Sequence, residues 1–216
     1  MVALAFARAV AMSGKIEECH STLDELWHRR RGMSQIVRLN LFGLLCATGA
    51  HQRALELGLA IIDETKTLSS PDLIKTHLWL TDVAFREGDI DTLKRLDEMA
   101  GEQNRARIML DTLETLPSGV RAAFPGLQQV TNRHLEGCYS YRVVEITPCD
   151  DGIDVTDTVY VPLERTERRA LMARLDDAHD AYCDKMGLTL GAFTPPLVVH
   201  ILPLSACDLR SADAAE

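Results

Sequence analysis

Two rhythms of apolar positions divide the chain. Up to about residue 136, apolar side chains recur three and four apart, the spacing that lines one face of a helix. From residue 137 the spacing shortens to alternation. Tyr139 to Thr147 and Ile153 to Leu163 read as two strands rich in β-branched and aromatic residues, with the turn-forming run Pro148-Cys149-Asp150-Asp151-Gly152 between them. A helical period then returns from Thr166, a candidate N-cap, to Met186, with Glu167 in the first turn and Gly187 at the end. Leu171, Leu175, Ala178 and Tyr182 form its apolar face. Pro195-Pro196 precedes a third strand, Leu197 to Leu202, which Pro203 ends. The pattern predicts an α+β protein: a helical hairpin array over 1–136, a small ββαβ module over 137–205, and a flexible tail over 206–216. His134-Leu135-Glu136-Gly137 marks the boundary as a helix ending on glycine.

Within the helical part, three segments align when their glycines are superposed: FARAVAMSGKIEECHSTLDEL, LFGLLCATGAHQRALELGLAI and LTDVAFREGDIDTLKRLDEMA. The glycines are Gly14, Gly49 and Gly88, each between two amphipathic stretches where a short turn reverses the chain. Before each glycine stand Phe6 and Val10, Leu41 and Leu45, and Leu80 and Ala84; five residues after it stand Cys19, Ala54 and Leu93, expected to face the preceding helix. A further amphipathic helix is expected from Gln103 to Leu116, with Ile108, Met109, Leu113 and Leu116 on one side, ended by Pro117-Ser118-Gly119. Val120 to Leu135 reads as helix again, interrupted near Pro125-Gly126, and the two together are candidates to cap the array.

These positions resemble the tetratricopeptide family, whose unit is a helical hairpin of about 34 residues. The second unit matches best, through Leu41, Leu45, Gly49 and Ala54. The first offers Phe6, Ala7, Val10, Gly14, Cys19, Leu23 and Leu26; the third offers Leu80, Ala84, Gly88, Asp89 and Ala100 but has Asp97 where the family favours a large apolar residue. The proline that often closes a unit is missing after the first two, unless Pro71 serves in a displaced register. The resemblance covers about half the chain. It implies a concave wall built from the first helix of each hairpin, able to hold an extended peptide or a helix.

Composition narrows the classes. With 46% apolar and 25% charged residues the chain can build a core, which excludes a wholly disordered or low-complexity protein. A net charge of −9 argues against broad binding to nucleic acid or to anionic membranes. The acidity concentrates at the end: residues 137–216 carry 14 acidic and 7 basic side chains. No run approaches the roughly 18 apolar residues of a membrane span. The opening MVALAFARAVAMS has Ala9-Val10-Ala11 as a cleavage-like site, but it lacks a basic start and Arg8 interrupts it, so it reads as the first helix of a repeat rather than a signal peptide. Six cysteines without a C-x-x-C pair read as free thiols, and the expected location is the cytoplasm.

Candidate chemistry is sparse. Asp176, Asp180 and Asp184 stack at spacing four on the C-terminal helix, with Asp177, His179 and Cys183 nearby. A bound cation would relieve their repulsion, but one stripe does not supply converging ligands, so a solvated acidic face is the expectation. The seven histidines (His20, His28, His51, His77, His134, His179, His200) form no fixed-spacing ligand pair; His200, inside an apolar strand, needs a partner if buried. Arg29-Arg30-Arg31, after His28, is the one dense basic run, suited either to a helix C-terminus or to an anionic group. Phosphate-loop, dinucleotide-loop and nucleophile-elbow motifs are missing.

The leading expectation is therefore a non-enzymatic adaptor that holds a protein or peptide partner, without cofactor or metal. Arg38, Asn40, His77 and Arg86 are expected exposed along the concave wall, with Arg29, Arg30 and Arg31 as a further contact; a nucleic-acid partner would use those three arginines and bind with steep salt dependence. The competing expectation is a metal-assisted phosphate-ester hydrolase using His200, His179, Asp176 and Asp180. Ala3, Phe6, Ala7 and Val10 have no earlier helix to cover them, so a homodimer through the N-terminal helix is expected.

Overall fold

A computed structural model describes residues 5, 7, 10, 13, 15–65, 71–101, 104–136, 138, 141–149, 152–188 and 197–203. After Ala5, Ala7 and Val10, which are helical, the described residues form seven helices in succession: α1 (Ile16–Arg29), α2 (Gln35–Ala47), α3 (His51–Thr65), α4 (Pro71–Glu87), α5 (Ile90–Ala100), α6 (Arg105–Glu114) and α7 (Ser118–Leu135). Strands β1 (Tyr141–Cys149) and β2 (Gly152–Val161), helix α8 (Arg165–Lys185) and strand β3 (Leu197–Pro203) follow. The protein is mostly helical with a small three-stranded sheet near its C-terminus, the expected α+β class.

The turns explain why the helical part folds back on itself. Gly49 and Gly88 adopt φ of 82° and 67°, a left-handed conformation that a side chain disfavours. In each turn the residue after the glycine donates its N–H back into the helix just ended, Ala50 to the Leu45 carbonyl at 3.0 Å and Asp89 to that of Ala84 at 2.9 Å. Asp89 then caps α5 by accepting from the Thr92 N–H at 3.0 Å, and Asn104 caps α6 through Arg107. Gly14 and Gly137 lie outside the described residues. Leu41, Leu45, Leu80 and Ala84 are buried, as are Cys19, Ala54 and Leu93. Helix α2 packs on α3 and α4, α4 on α5 and α6, and α7 on α4 and α8.

Two expectations need correction. Pro125 does not interrupt α7, which runs through it from Ser118 to Leu135. The reason is packing: the proline backbone rests on the α4–α5 turn, so close that a Cβ on Gly88 would lie 2.5 Å from its Cα, and Phe124 packs at a tilt of 51° against Phe85 with ring centroids 5.0 Å apart. Those contacts hold the helix across the missing hydrogen bond. Thr166 does not cap α8, which begins at Arg165; the Glu167 carboxylate accepts from the Glu164 N–H at 2.9 Å. At the far end Gly187, at φ 67°, closes α8 as expected.

The strand order is β1-β2-β3, with β1 antiparallel to β2 and β3 parallel to β2, so α8 is the crossover between the parallel pair. Alternation assigns the faces. Arg142, Val144, Asp157, Val159 and Val161 are buried on one face, while Glu145, His200 and Leu202 on the other are exposed. Val144 joins the helical core, with Ile146 half-buried against it; Val159 and Val161 instead build a second cluster with Leu135 of α7 and Leu171 of α8. Helix α7 thus contacts both parts. Among the described residues no helix is long and apolar enough to cross a membrane.

Gly88 therefore carries two constraints where Gly101 carries one. Gly101 has φ 76° but no described atom near its would-be Cβ. Gly101→Ala should lower stability by about 1 kcal/mol, whereas Gly88→Ala should lower it by roughly 2–4 kcal/mol, since backbone overlap adds to the unfavourable φ. Urea titration of both variants checks the difference.

Candidate functional site

One ridge of α4 links the two parts of the molecule. Ile74, Leu78, Asp82 and Arg86 are spaced by four, and their exposure falls along the helix from 51% and 40% to 9% and 2%. The sheet covers the second half. Arg105 of α6 holds Asp82 at 2.5 Å and donates its other arm to the Val144 carbonyl of β1 at 2.5 Å, while Arg86 Nε lies 3.8 Å from Asp157 of β2. The first half stays open. Beside it lie Trp79, with Lys75 Nζ 5.2 Å from its ring centroid, and α2, whose Gly43 meets the Trp79 ring. Ile36, two turns before Gly43 on the same side of α2, is 61% exposed. Ile36, Ile74 and Leu78 form the apolar surface candidate.

Beneath the sheet a hydrogen-bonded charge network joins five elements. Arg142 of β1 grips Asp157 of β2 through Nε at 2.9 Å from both carboxylate oxygens and through Nη2, and donates Nη1 to Asn132 of α7 at 2.7 Å. Asn132 passes the contact on, donating to the Arg86 carbonyl and to Glu87 of α4, each at 2.8 Å. Glu87 also faces His51 Nδ1 at 2.7 Å and accepts from Gln52 at 3.0 Å, both on α3. Burial alone would raise the Asp157 carboxyl, but the charge and hydrogen bonds of Arg142, with Arg86 behind them, outweigh it and hold it below the ordinary range. Glu87 is also lowered, burial being overcome by His51, Gln52 and Arg142. Asp82 goes the other way: its burial exceeds the pull of Arg105 and Arg86, and its carboxyl is raised. Burial pulls His51 down to about 4 despite Glu87, helped by the charges of Arg142 and Arg86, so it is neutral at pH 7 and donates Nδ1–H to the carboxylate.

The structure separates the expected partner residues into two groups. His77 and Arg86 are not exposed wall residues. His77 is buried with Nε2 2.8 Å from the Leu96 carbonyl of α5, and Arg86 is enclosed by the sheet, because β1 and β2 lie across the end of α4. Asn40 is exposed and bonds back to the Ile36 carbonyl, and Arg38 is half-buried in a two-armed pair with Glu64 of α3 at 2.6 and 3.0 Å. Arg29 and Arg31 are exposed; Arg30 stacks 3.7 Å from the Trp27 ring centroid and pairs with Glu56 at 2.7 Å. Sequence reasoning missed the network, whose members lie scattered from residue 51 to residue 157; the one available signal was the inward strand phase of Arg142 and Asp157.

The hydrolase candidates are not brought together. Asp176, Asp177, Asp180 and Asp184 face solvent on α8, His179 Nε2 lies 2.8 Å from the Thr131 hydroxyl of α7, and His200 is exposed on β3. Among the described residues no three His, Cys, Asp or Glu side chains are grouped so as to hold a metal ion. Ala7 and Val10 of the expected dimer face are buried within the chain, while Ala3 and Phe6 lie outside the described residues.

Two measurements test the electrostatics of this region. Because the folded state holds His51 neutral down to about pH 4, against an ordinary 6.5, the unfolded chain binds more protons between those values. Stability should therefore fall as pH drops through that window, by on the order of 2–3 kcal/mol, and His51→Gln should flatten the slope; urea titrations at pH 7, 5.5 and 4.5 report it. Gln128 on α7 is fully buried with neither amide atom hydrogen-bonded among the described residues. Gln128→Met should raise stability by about 1 kcal/mol in the same assay at pH 7, since removing an unsatisfied buried amide relieves its desolvation.

A comparison with protein-family models finds no match to the chain, and comparisons with curated proteins and with solved structures find none either.

Proposed function

We propose that the helical part is a non-enzymatic interaction module of tetratricopeptide-like design, and that it holds an extended or helical segment of a protein partner against the first halves of α2 and α4. The exposed Ile36, Ile74 and Leu78 carry this reading. They project from two neighbouring helices that each open a hairpin, and they are the three most exposed large apolar side chains of the described array, ahead of Met99 on α5. Support also comes from the two left-handed glycine turns and from Cys19 and Ala54, small residues at closely packed positions. Asn40 and Lys75 flank the apolar surface and offer polar contacts, and Arg38 reaches it only by sharing its pair with Glu64.

The test uses the full-length chain carrying Ile74→Glu and Leu78→Glu together. Both positions are exposed, so the melting temperature should stay close to that of the wild type. Burying what remains open of these two side chains contributes roughly 1.5–3 kcal/mol. A partner captured by the wild type should therefore bind the variant about ten- to a hundredfold more weakly by calorimetry. Equal affinity would overturn the reading.

A further inference from the structure

Helix α8 carries its exposed charges in two blocks. Arg165, Arg169 and Arg174 lie in its first half, and Asp176, Asp177, Asp180 and Asp184 in its second, all seven on the side away from the buried Leu171, Leu175 and Cys183. None of the seven is in an ion pair with another described residue, whereas Arg30, Arg38, Arg53, Arg95 and Arg107 of the helical part each hold a carboxylate. The blocks also suit the helix poorly on its own. Arg165 and Arg169 stand four apart, as do Asp176, Asp180 and Asp184, and like charges at that spacing repel. Arg165 in the first turn and Asp184 in the last have the sign that the macrodipole disfavours, against Glu167 and Lys185, which have the favoured one.

We infer that this side of α8 is the interface of a homodimer, with α8 of one protomer lying antiparallel to α8 of a second copy across a two-fold axis. The order of the charges selects that occupant. A partner acidic throughout would repel the aspartates, and one basic throughout would repel the arginines, but a helix basic first and acidic last complements itself when reversed. Arg165 then meets the partner's Asp184, Arg169 meets the partner's Asp180, and the axis repeats both pairs. The two arginines are about one turn, roughly 6 Å, apart on their helix, as are the two aspartates, so both contacts form in one register. The exposed Ala173 falls beside the axis, where a small side chain lets the two helices approach closely. Exposed ion pairs each contribute little, so the dimer is weak and sensitive to salt. Its surface is separate from the open ends of α2 and α4 and does not depend on a partner being held there.

Sedimentation equilibrium on the full-length chain tests the interface. The wild type should dimerise reversibly, with an association constant that falls about tenfold or more between roughly 0.05 M and 0.5 M salt as the pairs are screened. Arg165→Glu with Arg169→Glu gives the helix two acidic ends, and Asp180→Lys with Asp184→Lys gives it two basic ends. Each double variant alone should be monomeric where the wild type is dimeric. An equimolar mixture of the two should dimerise again, because every pair across the axis is then restored with its signs exchanged. Both sets of changes suit the macrodipole, so neither should lower the melting temperature, and loss of the dimer cannot be ascribed to unfolding. A wild type that stays monomeric up to about 1 mM at the lower salt would overturn the proposal. So would a dimer that both variants retain, or a mixture that remains monomeric.

Discussion

Arg142 and Asp157 bear the constraint on which the sheet's placement depends. Both side chains are almost completely buried, and a lone charge there would be prohibitively expensive, so each exists only because the other is within reach. They sit on neighbouring strands one pair out of line: Arg142 lies opposite Val159, and Asp157 opposite Val144. That diagonal is available in one register only. A slip of a single residue would turn Arg142 to the outer face, leave Asp157 with only the more distant Arg86 and expose Val144. The pair therefore adds less to stability than to specificity, a role often suggested for buried ion pairs and here following from the register itself. The guanidinium also uses an arm that Asp157 does not, and Asn132 receives it; through Asn132 and Glu87 the register of a sheet is tied to the ends of α3 and α4.

The same constraint shapes the surface left to the outside. A helix ridge spaced by four would ordinarily be uniform in character, yet on α4 it passes from apolar to charged within three turns. The change coincides with the cover: where the sheet lies the residues are Asp82 and Arg86, and where it stops they are Ile74 and Leu78. Charged residues under protein and apolar residues in water reverse the usual distribution. The first half of that inversion is explained by opposite charges beneath the sheet: Arg105 holds Asp82, and Arg86 lies 3.8 Å from Asp157. The second half is the reason the proposed partner surface is placed at the open end of α2 and α4.

What the sequence makes legible here is whatever depends on neighbours along the chain. Gly49, Gly88 and Gly187 could be read as turns because a left-handed residue after a helical period has a local cause, and the β-β-α-β order followed from two changes of period. Pro125 could not be read correctly, because the contacts that carry α7 through it come from Gly88 and Phe85, some forty residues earlier. His77 and Arg86 were misplaced for a similar reason: a polar residue on a helix ridge looks solvated until something distant covers it. A signal for the network did exist at two positions. Arg142 and Asp157 fall on the inward phase of their strands, in step with Val144 and Val159, and a charge in that phase calls for an opposite charge nearby.

Strong electrostatic perturbation often marks catalytic groups, but the kind of perturbation matters. A general base or nucleophile has to present its reactive atom to something outside the protein. In this molecule the perturbed groups face one another: Glu87 is enclosed by His51, Gln52 and Asn132, and Asp157 by Arg142. The buried thiols Cys19, Cys46 and Cys183 are all raised by desolvation, the direction that disfavours the reactive thiolate. Buried charge here specifies which elements distant in sequence meet. The exposed apolar ends of α2 and α4 face outward instead, and recognition of another chain requires that orientation.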